Sequence, residues 1–480
     1  MREAVAHDHD DRILASHHQA MRSAHGQGYF SGCHQEFVVP CRDLRARCIH
    51  ALNRVVTVVV PSLSRRSWWS TLEWCYATVA LFALTQGPVY QLWRASAAVS
   101  VRSGVRSVDA AVLATFFLAQ LPGLLLLART MKLPRSFATS TGILVLLVGW
   151  LSSTVLWATL SRHSIIEVLA LIVTVMFGLY LAERFNIRQL MWVACLAMQL
   201  GIMMSIFAVD RAWFASLSES GDAWTGIYFN RNSLGPVATT GALSALAVLG
   251  GGFVSRRQQL IGAMPLLLVV AIDVYVLGQS RSQTSQVFLI VSLAVAGSFW
   301  VTRRFLDRRW TSKQLLPSLL IGVLVAMVSS VYLLGDRVAA LLGETSDING
   351  RTQLWSFSWS GVLLEPWFGW GWLSAWHTPS FLGRDLFWTL TNEFWSHSSY
   401  LDLLLGGGVI ALVLFVLYVA RGMWDLAQRQ EPSIPSAAIL AIVSLILFSM
   451  TQESFFIGSH FYTALLIAGF RSAERCSSLR

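Results

Sequence analysis

Four side chains in this sequence have the type and the neighbours to do chemistry. Arg231 lies in Gly226-Ile-Tyr-Phe-Asn-Arg-Asn-Ser-Leu-Gly-Pro, Arg281 in Gly278-Gln-Ser-Arg-Ser-Gln-Thr-Ser, Arg351 in Asn349-Gly-Arg, and His397 in His397-Ser-Ser-Tyr-Leu-Asp-Leu-Leu-Leu-Gly-Gly-Gly. Each sits in a short cluster rich in Asn, Ser, Gly or Gln. A guanidinium is a permanent cation whose planar fork grips phosphate oxygens two at a time. An imidazole changes charge near neutral pH and can take up or release a proton. Each residue also has an ordinary explanation. An arginine at a helix end in lipid snorkels to the headgroups, and a lone histidine at a membrane boundary is an interfacial polar group. What separates the two accounts is whether the four share one side of a membrane.

The elements that must position them are apolar helices. Of 480 residues, 55% are hydrophobic and 13% charged, against about 25% charged in a soluble domain. Apolar runs long enough to cross a hydrocarbon core of about 30 Å recur almost end to end. They show no alternation of apolar and polar residues, which argues against a membrane β-barrel. The expected fold is therefore all-α, a polytopic transmembrane bundle of about 12 helices. Spans are expected at 72–93, 108–128, 137–157, 164–182, 189–209, 233–253, 260–278, 285–301, 315–334, 398–420, 435–450 and 454–470. Only Thr451-Gln452-Glu453 separates the last two, so they could equally be a hairpin or one broken element.

Charge orients this bundle. With the N-terminus inside, the inner connectors and the C-terminal tail carry seventeen basic residues, among them Arg129, Arg184, Arg256, Arg303, Arg421 and Arg471. The short outer connectors carry seven: Arg94, Arg102, Arg106, Arg162, Arg211, Arg231 and Arg281. The positive-inside rule then predicts both termini in the cytoplasm and all four candidate residues outside. The net charge of +10 follows from these connectors and implies no nucleic-acid partner. Residues 1–66 are polar, hold seven of the eleven histidines and read as a disordered cytoplasmic extension with no signal-peptide pattern. Residues 67–334 carry spans 1–9, residues 335–397 form a large extracytoplasmic loop between helices 9 and 10, and residues 398–480 carry the last three spans and a short tail. The loop holds eight of the twenty tryptophans, which read either as interfacial anchors or as a platform for sugar faces. Within it, residues 351–364 read as an amphipathic helix ending before Pro366. The cysteines match no disulfide framework and no familiar zinc spacing.

The order of these motifs resembles the O-antigen ligase and polymerase superfamily, a group of bacterial polytopic membrane proteins. The resemblance runs over roughly residues 220 to 420. It is carried by Asn230-Arg-Asn-Ser-Leu-Gly, Ser280-Arg-Ser, Gly350-Arg with a downstream Trp, Glu365-Pro-Trp-Phe-Gly-Trp-Gly-Trp, and His397-Ser-Ser-Tyr-Leu before a glycine-containing helix. Two positions depart from the family pattern: Phe229-Asn230-Arg231 stands where members often have His-Lys or His-Arg, and His397-Ser398 where they usually have His-Asn.

The resemblance implies a glycosyltransferase of the bacterial cytoplasmic membrane. Its donor would be a glycan on a polyprenyl pyrophosphate, with the lipid among the helices and the sugars outside. The partners implied are that donor, a glycan or lipid acceptor, and membrane lipids. Breaking the sugar–phosphate bond requires the departing pyrophosphate to be stabilised. A metal would need clustered carboxylates, and the short outer connectors show none, so no metal or other cofactor is expected. Arginines can serve instead: Arg231, Arg281 and Arg351 are the expected pyrophosphate ligands. His397 is expected to be the general base for the acceptor hydroxyl. Asp273, about two helical turns before Arg281, is expected to hold an arginine, since an ionisable residue inside a membrane is usually paired. Asn232 and Ser280 flank the arginines as supporting groups. A polymerase of the same superfamily, joining one lipid-linked glycan to another, fits the same residues. A transporter or lipid flippase is a further alternative, against which stands the lack of a clear internal repeat.

Overall fold

The computed structural model describes residues 68–93, 110–129, 136–211, 223–250, 256–305, 351–376, 396–427 and 434–478. The polar segment 1–66, the expected span at 315–334 and most of the loop 335–397, His377 included, lie outside the described residues. What is described is all-helical. The helices are α1 (Trp68–Ala83), α2 (Gly87–Leu92), α3 (Ala110–Ala128), α4 (Ser140–Ser153), α5 (Ser161–Arg184), α6 (Ile187–Asp210), α7 (Arg231–Gly250), α8 (Arg256–Ser280), α9 (Gln283–Phe305), α10 (Arg351–Leu364), α11 (Ser399–Ala427), α12 (Ile434–Ser449) and α13 (Phe461–Ser478). Seven of them are long and apolar enough to cross a bilayer: α3, α5, α6, α7, α8, α9 and α11. The chain is a polytopic membrane protein, as its composition requires.

The centre of the bundle is α7, which packs on α6, α8 and α12. Its sequence explains the position. Small residues run along it, including Gly235, Ala238, Gly241, Ala242 and Ala245, and let neighbouring backbones approach closely. A Cβ at Gly241 would come within 2.7 Å of the Asp273 carboxylate on α8.

The structure corrects three expected spans. The run at 72–93 is broken, because Gln86 takes φ 72 and Pro88, at the start of α2, has no N–H to continue α1. The span expected at 454–470 starts later, at Phe461, and runs on to Ser478. Residues 451–460 are irregular instead, and side chains supply their hydrogen bonds. Ser399 Oγ accepts from the N–H of Phe455 at 2.7 Å and of Phe456 at 3.1 Å, and Thr174 Oγ1 accepts from the N–H of Ser459 at 2.8 Å. Irregular backbone is tolerated at membrane depth only when it is enclosed by protein in this way. The span expected at 398–420 continues to Ala427 and is kinked at Gly408, where φ is 68 and ψ is −167.

That kink receives the aromatic part of the large loop. Helix α10 ends before Pro366 as expected, and residues 365–376 then turn into the side of α11. The Trp370 N–H donates to the Leu405 carbonyl at 2.7 Å, and the Val409 N–H to the Pro366 carbonyl at 2.8 Å. Trp150 Nε1 donates to the Gly407 carbonyl at 2.8 Å, and Trp157 Nε1 to the Gly369 carbonyl at 3.2 Å. Trp372 is fully buried and Trp376 nearly so, while Trp370 donates to the Gly361 carbonyl. Trp372 belongs to the core of the bundle, Trp376 to a smaller cluster between α10 and α11, and Trp370 packs partly buried against that cluster, so none of the three stands as an open platform. Trp359 and Trp367 are exposed.

Candidate functional site

Arg231 is the first residue of α7, and Asn230 caps that helix, its Oδ1 accepting from the Ser233 N–H at 2.9 Å. The segment leading into the cap is anchored by Tyr228. Its ring occupies the space left by Gly87 and Gly201, and its hydroxyl donates to Thr85 Oγ1 at 3.2 Å. Burial pushes the Tyr228 phenol well above its ordinary range, so it stays neutral. Gln91 Nε2 donates to the Ile227 carbonyl at 2.8 Å. Arg231 is thus a half-buried cation at the positive end of a helix, a place that favours an anion.

Arg281 is exposed in the turn between α8 and α9, with φ 49. Ser280 Oγ donates to the Leu277 carbonyl at 2.8 Å and accepts from the Ser282 N–H at 3.3 Å, so its role is to shape that turn. His397, immediately before α11, has φ 51. Left-handed backbone is unfavourable for residues with a Cβ and gathers where function demands a geometry. Two of the five such non-glycine residues among the described residues are site candidates.

Hydrogen bonds join the three segments. Ser282 Oγ donates to Asn232 Oδ1 at 3.4 Å, Asn232 Nδ2 donates to Glu453 Oε1 at 3.4 Å, and Glu453 Oε2 lies 2.8 Å from His397 Nδ1. The immediate neighbours of Arg231 and Arg281 are therefore tied through one carboxylate to His397. A small cleft lies beside this chain, lined by Asn232, Ser282, Thr284, Ser285, Ser449, Glu453 and Phe455. Arg351 opens α10, whose Trp355 Nε1 donates to the Ser396 carbonyl at 3.0 Å. That contact links the helix of Arg351 to the residue preceding His397.

Asp273 has a different partner from the one expected. It is fully buried, and Gln199 Nε2 donates to both its oxygens, at 2.7 and 2.9 Å. Among the described residues it forms no ion pair with an arginine. The reason is its depth: about two turns below the helix end, it meets α6 and the notch at Gly241 rather than the turn that carries Arg281. Its contact ties α8 to α6. Glu453, in contrast, is a site residue that motif reading passed over as part of a connector. The signal available was that Glu453 is the one carboxylate between Ile434 and Phe470, and a carboxylate among membrane helices is usually paired.

Comparison with known proteins agrees with the motifs. Residues 266–416 match the model of the O-antigen ligase family. A curated relative, "Exopolysaccharide production protein ExoQ" of Rhizobium meliloti (strain 1021), is 26% identical over 239 residues, which is 47% of this chain and 52% of that protein. The chain thus spans about half the length of the curated relative it matches. Motif order, helical membrane architecture and both matches agree: this chain is similar, through residues 266–416 above all, to the O-antigen ligase and polymerase superfamily.

Proposed function

We propose that this protein transfers a glycan from a polyprenyl-pyrophosphate donor to an acceptor hydroxyl at the outer face of the cytoplasmic membrane. The hydroxyl oxygen attacks the anomeric carbon, the bond from that carbon to the pyrophosphate oxygen breaks, and polyprenyl pyrophosphate leaves with the electron pair. The hydroxyl proton goes to His397. Arg231 and Arg281, with Arg351 from α10, stabilise the departing anion. The observation that carries this reading is the hydrogen-bonded chain Ser282–Asn232–Glu453–His397, which gathers the arginine-bearing turns and the histidine at one end of the bundle.

The test uses the reconstituted full chain and a lipid-linked glycan donor. Transfer and release of the carrier are expected without added metal. Arg231→Lys and Arg281→Lys each keep the charge but lose the fork, and each should lose about 10- to 1,000-fold in rate. Near-full rates in both lysine variants, or a strict divalent-metal requirement, would overturn the arginine assignment. Failure of wild type to consume any lipid-linked glycan would overturn the function itself.

The acceptor distinguishes two readings. A lipid or surface anchor makes the enzyme a ligase; another lipid-linked glycan makes it a polymerase. The name of the Rhizobium relative, exopolysaccharide production, favours the second. In a deletion strain, full-length chains left on the carrier mark a ligase and undersized chains a polymerase.

The orientation is part of the proposal. Reporter fusions at Gly350 and at the C-terminus are expected to lie on opposite sides of the membrane, with the C-terminus inside. Both on one side would remove the site from the face where the sugars lie.

A further inference from the structure

We propose that Glu453 is the positioning residue of His397, holding the imidazole by Nδ1–H so that Nε2 is the atom that takes the acceptor's proton. This rests on the glycosyl transfer proposed above. An ionised carboxylate has only acceptor sites. At 2.8 Å from Glu453 Oε2, Nδ1 must therefore carry the hydrogen, and in the neutral ring the lone pair is then on Nε2. The pair is mostly enclosed, with side-chain exposures of 15% and 16%, so solvent screens it less than a surface pair.

The surroundings hold Glu453 from several directions. Its N–H donates to the Ser449 carbonyl at 3.0 Å, and its own carbonyl accepts from Ser399 Oγ at 3.0 Å. Asn232 reaches its second carboxylate oxygen. The buried carboxylate of Asp402, in the first turn of α11, clamps the neighbour of each partner. It accepts from Ser396 Oγ at 2.7 Å, next to His397, and from the Ser454 hydroxyl, next to Glu453.

A purely structural ion pair would fasten segment 451–460 to α11. Ser399 and Asp402 already make that attachment through uncharged groups of the segment, the Glu453 carbonyl, the Ser454 hydroxyl and the N–H groups of Phe455 and Phe456. That attachment does not depend on the Glu453 carboxylate, which meets the imidazole with one oxygen and the Asn232 amide with the other. In the transfer step the hydroxyl proton moves to Nε2, the ring becomes a cation, and the Glu453 carboxylate stabilises that cation. The oxygen's electron pair forms the new bond to the anomeric carbon as the bond to pyrophosphate breaks.

The experiment is a double-mutant cycle on the reconstituted full chain, with a polyprenyl-pyrophosphate glycan donor and kcat and donor KM read separately. Glu453→Gln is expected to lower kcat about 10- to 100-fold with donor KM within about threefold of wild type. Glu453→Asp, which keeps the carboxylate, should recover part of the loss. His397→Ala should be lower still, and His397→Ala with Glu453→Gln no worse than His397→Ala alone, because two residues acting as one unit are not additive. Wild-type kcat in Glu453→Gln beside an impaired His397→Ala would overturn the positioning role and leave the base standing. Multiplying losses in the double variant would overturn it too. Wild-type kcat in His397→Ala would overturn the base assignment first. Should Glu453→Gln not accumulate, the cycle is run with Glu453→Asp, and the same comparison decides.

Discussion

His397→Ala is expected to slow single-turnover transfer by about 10²- to 10⁴-fold, the usual contribution of a positioned base. Donor affinity should stay near wild type, because the anion would be held by arginines on α7 and in the turn before α9, not by the imidazole. The measurement is single-turnover transfer with saturating lipid-linked donor, and donor affinity obtained by titration. His377, the other histidine of the large loop, has no resembling motif, and His377→Ala should cost far less. Transfer at the wild-type rate in His397→Ala, or a loss explained wholly by donor that no longer binds, would show that His397 is a structural or binding residue.

Gly408→Ala is expected to destabilise the protein by about 3 kcal/mol or more, which for a membrane bundle means little accumulates. Two effects combine. The backbone at Gly408 has φ 68 and ψ −167, a region essentially closed to residues with a Cβ, and forcing one there costs about 1–3 kcal/mol. The new methyl would also overlap the carbonyl oxygen of Trp367 and the Phe368 N at 2.6 Å. These are backbone atoms, so no side-chain rotation relieves the clash, and the Val409–Pro366 hydrogen bond sits directly beside it. The matched control is Gly297→Ala in α9, where a Cβ meets nothing within 4 Å. Accumulation in membranes and thermal unfolding in detergent should separate the two variants clearly. Equal stability would mean that residues 365–376 do not depend on the kink.

The same glycine shows how motif and structure relate. The run Gly406-Gly407-Gly408 and the run Glu365-Pro-Trp-Phe-Gly-Trp-Gly-Trp stand about 40 residues apart and resemble family signatures separately. In the fold they are one object. Gly369, with φ 67, lies against the backbone at Leu405 and Gly407, and a Cβ at Gly406 would press on the Trp372 ring at 2.9 Å. Nothing in either run names the other.

Membrane class, helical architecture and the candidates Arg231, Arg281 and His397 were all legible in the linear sequence. The reason is that lipid imposes a local rule: a spanning segment must satisfy its backbone hydrogen bonds within the protein, and a helix is how a single apolar run does so by itself. Polar clusters between such runs are then conspicuous. What a polar residue inside the bundle pairs with obeys no local rule. Asp273 meets Gln199, 74 residues away in sequence, and His397 meets Glu453, 56 away. A carboxylate in low dielectric must find a donor, but which donor depends on helix neighbours and depth. Residues 451–460 make the same point. Residues 454–460 lead straight into an apolar run and read as part of its helix, yet Ser399 and Thr174 on other helices accept from the N–H groups of Phe455, Phe456 and Ser459 in an irregular segment. That irregular stretch is what delivers Glu453 to the imidazole, so the pairing at the centre of the proposed site was decided by tertiary packing alone.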